Sequence, residues 1–243
     1  MTKGVCLVVG AGDGLGASIA RAFAREGFTP VVTRRARHLP ALEALAQDLR
    51  DGGGKAHAFG LDARREEEVV ALVERIEAEI GPLEVVVFNI GANVRFSVVE
   101  TTTQVFSKVW EMACLAGFLT GREVARVMAA RGRGTILFTG ATASLRGGAG
   151  FSAFAAAKTG LRALAQSLAR EMGPKGLHVA HVVIDGAIDG VFTRERQPDA
   201  AERLARGEIL DPQEIARNYV WLHGQGRSAW TFELDLRPWT EVW

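Results

Sequence analysis

One stretch near the start of the chain decides the fold: VCLVVGAGDGLG at residues 5–16. Residues 5–9 form an uninterrupted apolar run, which is typical of a strand covered on both faces of a parallel sheet. The glycines that follow permit backbone conformations that other residues avoid. From Gly16 to Glu26 the apolar residues recur at helical spacing. The segment therefore predicts a strand, a glycine-rich turn and a helix in direct succession.

The glycine-rich turn is also a candidate phosphate-binding loop. Backbone amides without a neighbouring Cβ can approach a phosphate closely, and the following helix directs its positive N-terminus at the same place. These properties suit the pyrophosphate of a dinucleotide. The alternative is a tight turn that binds no ligand. The candidate cofactor residues of this loop are Gly10, Gly12, Asp13, Gly14, Leu15 and Gly16.

Beyond this segment, strand-like and helix-like patterns alternate along the whole chain. Such alternation is typical of a doubly wound parallel sheet, an α/β fold of three layers with right-handed crossovers. No linker composition or repeat interrupts it, so residues 1–243 are expected to form a single domain. The predicted strands cover residues 5–9, 28–33, 55–60, 83–88, 135–139, 178–184 and 231–236, and the predicted helices cover 16–26, 39–49, 66–80, 105–130, 152–172 and 212–222.

The composition excludes several classes of protein. The 243 residues include 29 basic and 28 acidic side chains, a net charge of +1, whereas nucleic-acid and membrane-surface binding need a basic excess. No apolar run approaches the ~18 residues of a membrane span, and glycines come too early for a signal peptide. Two cysteines, Cys6 and Cys114, exclude a disulfide scaffold and fit a reducing compartment. We expect a cytoplasmic protein that acts on a small molecule.

The spacing of the loop glycines, Gly10-x-x-x-Gly14-x-Gly16, resembles that of the short-chain dehydrogenase/reductase family. Four further motifs extend the resemblance over almost the whole chain. The resemblance implies a Rossmann-type fold that binds a nicotinamide dinucleotide. It also implies that Asp62 contacts the adenine and that Lys158 is the active-site lysine.

Two longer segments carry the rest of the resemblance. Residues 89–92, NIGA, match the family's Asn-Asn-Ala-Gly segment after the fourth strand, with substitutions. This match assigns Asn89 and Gly91 to the cofactor site. Residues 185–188, DGAI, stand where the family has Pro-Gly followed by a residue that contacts the nicotinamide amide. By this resemblance Ile188 is the nicotinamide contact.

The end of the second predicted strand bears on the choice of cofactor. An NAD enzyme places Asp or Glu about twenty residues after the glycines, where it bonds the ribose hydroxyls. This chain has Arg34 and Arg35 there instead. A guanidinium complements a 2′-phosphate with paired, charge-assisted hydrogen bonds. We therefore expect NADP(H) in preference to NAD(H), the alternative being that Arg34, Arg35 and Arg37 form a solvated basic edge.

The family's proton-transfer residues are mostly replaced. By the resemblance, a Tyr four residues before the Lys acts as acid or base, a Ser thirteen residues earlier positions the substrate oxygen, and an Asn organises a proton relay. Those positions hold Phe154, Ala141 and Ala113, so only Lys158 remains. A phenyl ring has no hydroxyl with which to exchange a proton. The chain's single tyrosine, Tyr219, lies in a late predicted helix and cannot substitute by a small shift of register.

Two functions remain open. In the first, the protein transfers a hydride to or from a small or medium apolar carbonyl or enone substrate and uses a non-standard proton source. Hydride addition to an activated C=C bond needs a less exacting proton donor than carbonyl reduction, because its proton can come from water. The hydroxyls of Thr139, Thr142, Ser144 and Ser152 are weak candidates for that source. In the second, the protein binds NADP(H) without turnover and serves as a sensor or scaffold subunit.

The last third of the chain suggests a lid and an interface. The polar stretch 190–207 predicts a mobile loop, where the family has a substrate lid. Family members are usually dimers or tetramers, so we expect a homodimer or homotetramer. Two histidines three apart on a strand, His178 and His181, face opposite sides and predict no metal site. Aromatic residues that cover the last strand or mediate self-association are Trp221, Trp230, Phe232, Trp239 and Trp243.

Overall fold

A computed structural model describes residues 2–242, which contain one sheet of seven parallel strands in the order β3-β2-β1-β4-β5-β6-β7. The strands are β1 Val5–Val9, β2 Thr29–Arg34, β3 His57–Gly60, β4 Leu83–Phe88, β5 Gly134–Thr139, β6 Leu177–Ile184 and β7 Glu233–Leu236. The helices are α1 Leu15–Arg25, α2 Leu39–Asp51, α3 Glu66–Arg75, α4 Thr103–Trp110, α5 Ala116–Arg131, α6 Ser152–Met172, α7 Val191–Arg196, α8 Ala200–Ala205 and α9 Pro212–His223.

The central strand shows why the chain forms three layers. All five residues of β1 are buried, and successive side chains point to opposite faces of the sheet. Cys6 and Val8 belong to the core shared with α1, α2 and α9, whereas Leu7 and Val9 belong to the core shared with α3, α5 and α6. A strand buried on both faces requires helices on both sides. The predicted three-layer, doubly wound fold is confirmed.

The strand order places a crevice beside the glycine-rich turn. The chain runs from β1 outward through β2 to β3, then returns to add β4 on the other side of β1. In doubly wound sheets the ligand crevice lies at the carboxyl ends of the strands where this direction changes. The turn after β1 and the segment after β4 meet there, since the backbone N–H of Asn89 donates to Val9 O at 2.8 Å.

The prediction of a mobile loop over 190–207 is wrong in its secondary structure, because this segment contains α7 and α8. Both helices have six residues, and charged residues are interspersed in each. Polarity alone does not distinguish an exposed helix from a loop. The segment is tied to the end of β6 by Thr193 Oγ1, which donates to Ile188 O at 2.5 Å, and by Arg194, which bonds Asp189.

The predicted helix 105–130 is one continuous helix with a wider π turn at Glu111–Leu115 between α4 and α5. The aromatic residues near the C-terminus divide into two groups. Trp230 stacks on His178 with ring centroids 5.0 Å apart, whereas Trp221 and Trp239 are exposed. Trp243 lies outside the described residues. Within residues 2–242, no helix has the length and hydrophobicity that a membrane crossing requires.

Candidate functional site

The glycines of the first turn have two different roles. A Cβ on Gly16 would lie 2.6 Å from Ala11 Cα, and Gly10 has φ +94° with Asn89 packed against it. These two glycines are therefore required by the packing of the turn. A Cβ on Gly12 would meet nothing nearer than the Arg34 guanidinium at 3.8 Å, and one on Gly14 nothing nearer than Asp189 O at 3.8 Å. Open space in front of Gly12 and Gly14 leaves room for a ligand against the backbone.

The start of α1 has the electrostatics of an anion site. Its N-cap is Gly14, with no side-chain cap and no acidic residue in the first turn. Within residues 2–242, the backbone N–H groups of Asp13 and Gly14 donate to no protein acceptor. Unpaired N–H groups and the helix dipole both favour negative charge at this position. The loop residues fit a pyrophosphate.

A first cavity of about 220 Å³ adjoins this loop. It brings together seven of the residues predicted for the cofactor site, namely Gly10, Gly12, Arg34, Arg35, Asp62, Asn89 and Gly91. It also contains Arg64 and His38, which no motif singled out. Only the spacing of Arg64, two residues after Asp62, could have suggested its place.

The charges of this cavity are unevenly paired. Arg64 donates to both carboxylate oxygens of Asp62, at 2.8 and 2.5 Å, and these hydrogen bonds lower the pKa of Asp62. Arg34 reaches Asp13 at 3.4 Å. The guanidinium of Arg35 forms no salt bridge within residues 2–242, and burial together with the surrounding arginines lowers its pKa. The cavity therefore holds a guanidinium that forms no salt bridge within the described residues, although the charge of Asp62 acts on it.

Lys158 and Asn89 connect the strand ends around the crevice. Asn89 Nδ2 donates to Gly10 O at 3.0 Å, which fixes the glycine turn against the end of β4. Lys158 Nζ donates to Ile90 O at 3.1 Å and to Thr139 O at 2.8 Å. The lysine is 2% exposed, and burial lowers its pKa to about 8 because a low-dielectric environment disfavours the ammonium.

A second cavity of about 1020 Å³ continues from the first, since Arg34, Asn89, Ile90 and Gly91 line both. It extends from the glycine turn to α7. The predicted site residues that it brings together are Asp13, Gly14, Leu15, Ala141, Phe154, Lys158 and Ile188. Gly16 and Ala113 line neither cavity. The two volumes together suit a dinucleotide with a further molecule beside its nicotinamide end.

The corner around Phe154 is apolar. Phe154 and Ala113 belong to one buried cluster with Val109, Cys114 and neighbouring alanines, and Ala113 is fully buried within the π turn. Cys114 is buried, and desolvation raises its pKa, so the thiol is not activated. Neither Phe154 nor Ala141 supplies a group that can exchange a proton.

A polar network lies beside this apolar corner. Thr142 Oγ1 donates to Asp185 Oδ1 at 2.5 Å, and Arg146 Nη2 lies 3.4 Å from Asp185 Oδ2. Thr142 and Arg146 line the second cavity, whereas Asp185 is fully buried behind them. Of the other candidate hydroxyls, Thr139 also lines this cavity, and Ser144 accepts from Ala141 N at 3.1 Å. Arg146 was missed because it belongs to no recognised spacing.

Comparisons with solved structures agree with this geometry. A short-chain dehydrogenase from Rhodopseudomonas palustris is 49% identical, with a TM-score of 0.83 over 97% of this chain and 99% of that one. A structure of actinorhodin polyketide ketoreductase with NADPH is 25% identical, with a TM-score of 0.88 over 98% of each chain. A metagenomic short-chain oxidoreductase in complex with NADP is 25% identical, with a TM-score of 0.82 over 98% of each chain.

Sequence comparison extends over the same length. A 3-oxoacyl-(acyl-carrier-protein) reductase of Bos taurus is 30% identical over 219 residues, 90% of each chain. A cis-4-hydroxycyclohexanecarboxylate dehydrogenase of Sinomonas cyclohexanicum is 30% identical over 229 residues, 92% of this chain and 90% of that one. The family model described as short chain dehydrogenase matches residues 4–201, from before β1 into α8. With its parallel sheet, glycine turn and paired cavities, the chain belongs to the short-chain dehydrogenase family of oxidoreductases.

Proposed function

We propose that this protein is an NADP(H)-dependent oxidoreductase that transfers a hydride to or from a small or medium apolar carbonyl or enone compound. The preference for NADP(H) rests on one observation. Arg35 lines the cavity beside the glycine turn, and its guanidinium has no salt-bridge partner within residues 2–242. A 2′-phosphate would supply the missing counter-charge. The NADPH and NADP complexes of two similar structures support the same choice.

We assign each part of the proposed cofactor to a group of residues in the crevice. The open amides of Asp13 and Gly14 would hold the pyrophosphate, and Arg34, Arg35 and Arg64 would surround the 2′-phosphate. Asp62, Asn89 and Gly91 would border the adenosine, Lys158 the nicotinamide ribose, and Ile188 the carboxamide. When bound, the nicotinamide supplies or accepts the hydride. The protein's contribution is to hold its ring toward the second cavity.

The apolar corner restricts the chemistry that we propose. Phe154 and Ala141 cannot protonate an alkoxide or orient a carbonyl oxygen, and loss of a general acid costs ~10²–10⁴ in rate. Addition of a hydride to a conjugated C=C bond leaves an enolate, which water can protonate at carbon. We therefore favour enone reduction with a proton from solvent, which enters past Thr142 and Arg146 at the cavity wall.

The segment 190–207 is proposed as the substrate lid. Its first helix lines the second cavity through Val191, Phe192 and Arg196. The segment contacts Ile188 and Asp189 at its start, and Arg206 O accepts from Trp239 Nε1 at 3.2 Å near its end. Segments that cover a site in this way can open and close over a bound substrate. We further propose a cytoplasmic homodimer or homotetramer, in which the exposed Trp221 and Trp239 contribute to self-association.

The test is a titration of the full chain with NADPH and NADH, followed by nicotinamide fluorescence, for the unaltered protein and for Arg35→Gln. We expect micromolar NADPH binding and much weaker NADH binding. Arg35→Gln should weaken NADPH binding by roughly 10- to 100-fold, the worth of a charge-assisted hydrogen bond, and leave NADH unchanged. Arg37→Gln is the matched control, because Arg37 is outside the cavity and bonds His38.

Three results would change the proposal. Absence of binding by either nucleotide would contradict it outright. Equal loss of NADPH and NADH affinity in Arg35→Gln would remove the 2′-phosphate argument. Tight NADPH binding without turnover on a broad panel of carbonyl and enone compounds would favour the sensor or scaffold function, which the apolar replacements at Phe154, Ala141 and Ala113 also suit.

A further inference from the structure

Arg146 is a cation that faces the second cavity with most of its hydrogen-bonding capacity unused. Its side chain is 44% exposed and lines the cavity wall. One nitrogen, Nη2, lies 3.5 and 3.4 Å from the two carboxylate oxygens of Asp185. Within residues 2–242, its Nε and Nη1 donate to no protein acceptor. A guanidinium has five N–H groups, so it can still form a two-bond contact with a ligand.

The position of this guanidinium is fixed from behind. Asp185 directly follows β6, and its carboxylate is fully buried. It accepts the Thr142 hydroxyl at 2.5 Å and lies 3.7 Å from Arg237 Nη2. A buried carboxylate is costly to retain unless its partners hold it in place. Asp185 therefore acts as an anchor that directs Arg146 along the cavity wall.

The acidic groups of the cavity do not compete for Arg146. Asp189 is bonded by Arg194 through both oxygens, each at 2.8 Å. Asp13 lies 3.4 Å from Arg34, and Glu195 lies 4.0 Å from Arg196. Each of these carboxylates thus has another arginine as its partner. An anion that enters the cavity can therefore form hydrogen bonds with the guanidinium of Arg146.

The other side chains of the cavity wall indicate what kind of molecule would carry the anionic group. Four apolar side chains line the same cavity as Arg146: Phe151, Phe154, Val191 and Phe192. The other cations of this wall have contacts of their own: Arg34 with Asp13, Lys158 with Ile90 O and Thr139 O, and Arg196 with Phe192 O. Apolar walls beside an oriented cation suit a molecule that has an apolar body and one negatively charged end. A planar carboxylate matches the guanidinium fork, with which it can form two parallel hydrogen bonds.

We propose that Arg146 binds the carboxylate of the substrate, so that the substrates are carboxylic acids with an apolar body that also bear the carbonyl or conjugated double bond. This proposal rests on the proposed function for the identity of the reacting group, but the binding of the carboxylate can be measured without turnover. Arg146 is the binding residue, and Asp185 is a positioning residue that acts through it.

The experiment measures the binding of benzoate and of benzamide to the full chain by calorimetry, with and without NADP. The two probes have the same ring and differ in charge. We expect benzoate to bind at least about 10-fold more tightly than benzamide. Arg146→Gln should remove most of this preference by weakening benzoate alone, and Arg146→Lys should retain part of it, since an ammonium keeps the charge but loses the fork.

Arg170→Gln is the matched control, because it removes the same charge from α6, where Arg170 lines neither cavity and bonds Gln166 O in its own helix. It should leave the preference for benzoate unchanged. Equal binding of the two probes, undetectable benzoate binding by the unaltered chain, or an equal effect of Arg146→Gln and Arg170→Gln would each overturn the proposal. Asp185→Asn should lower the benzoate preference while benzamide binding stays constant, whereas a purely structural role would weaken both.

The outcome is separable from that of the proposed function. NADPH affinity, measured on the same variants, reports on the cofactor site. Arg146 does not line the first cavity, where we place the adenosine half of the cofactor. A chain that binds NADPH but shows no preference for benzoate would retain the proposed function and lose this inference. A chain that prefers benzoate through Arg146 but binds no nucleotide would retain this inference and lose the proposed function.

Discussion

The hydroxyl of Tyr219 lies 2.8 Å from Oγ1 of Thr139, and this pair connects the chain's only tyrosine to the wall of the large cavity. Tyr219 comes from α9 and is fully buried in the core on the α1 side of the sheet. Phe154 lies on α6, which packs against the opposite face. Burial raises the pKa of Tyr219, so the phenol stays protonated. We infer that its role is structural.

The first prediction concerns Tyr219→Phe. The variant should lose about 1 kcal/mol of unfolding free energy, because Thr139 Oγ1 loses a buried partner. Turnover and NADPH affinity should remain unchanged. Urea unfolding and steady-state kinetics measure the two effects. A fall in turnover of about 100-fold or more at constant NADPH affinity would instead identify Tyr219 as a proton source that acts through Thr139.

The second prediction separates the two classes of glycine in the first turn. Gly12→Ala should keep its melting temperature, since the added methyl meets nothing within 3.8 Å, but should weaken NADPH binding by roughly 10-fold or more. Gly16→Ala should lower the melting temperature, because its Cβ would lie 2.6 Å from Ala11 Cα. Gly226→Ala, in open space far from both cavities, is the control for each. Unchanged NADPH affinity in Gly12→Ala would exclude a phosphate at this loop.

The third prediction concerns the apolar corner. The double variant Phe154→Tyr with Ala141→Ser should raise the rate of ketone reduction by ~10²-fold, since it adds an acid and an oxygen-positioning hydroxyl. Both positions line the cavity, so the new hydroxyls have room. Phe151→Tyr adds the same hydroxyl elsewhere on the wall and should not raise the rate. Equal rates in the double variant and the Phe151 control would argue against the assigned positions.

Adding Ala113→Asn to that double variant should reduce stability rather than help. Ala113 is fully buried in the apolar cluster of the π turn and lines neither cavity. A larger polar side chain there overpacks the core, at a cost of about 1–3 kcal/mol. Thermal unfolding of the double and triple variants measures the difference.

The fourth prediction is a pH dependence of stability. His181 is fully buried, with Nδ1 3.0 Å from Glu233 Oε2, and burial lowers its pKa to about 4. Below pH ~6.5 the unfolded chain gains a proton on this histidine that the folded chain does not gain until about pH 4. Folding stability should therefore fall as the pH decreases through this interval, by about 2 kcal/mol between pH 7 and 5 from this residue alone.

Urea unfolding of the unaltered chain and of His181→Gln at the two pH values measures this contribution. The carboxylates titrate in both proteins, so the difference between them isolates the histidine. We expect the variant to lose less stability on acidification than the unaltered chain. An identical pH dependence would show that His181 gains its proton in the folded state at the same pH as in the unfolded one.

The boundaries of an element could be predicted to within a few residues where the signal lies within that element's own sequence. The helix predicted over 152–172 is α6, and the strand predicted over 83–88 is β4. Length and β-branched content distinguish them, because α6 has 21 residues whereas β4 is a six-residue run with three valines. The segment 190–207 could not be predicted in this way, because its charged residues are compatible with an exposed helix and with a loop. The first of its two short helices, α7, is held by contacts to Ile188 and Asp189.

The sequence by itself determined the class of fold, the glycine turn and the absence of a tyrosine near Lys158, since each of these depends on neighbours a few residues apart. Only the tertiary structure decided which polar and charged side chains meet. Arg146 and Asp185 are 39 residues apart, and Thr139 and Tyr219 are 80 apart. The first pair forms because β5 and β6 bring their carboxyl ends to one edge of the sheet, and the second because α9 packs against the sheet beside the end of β5. No local pattern encodes that convergence, and the proposed carboxylate site of this protein depends on it.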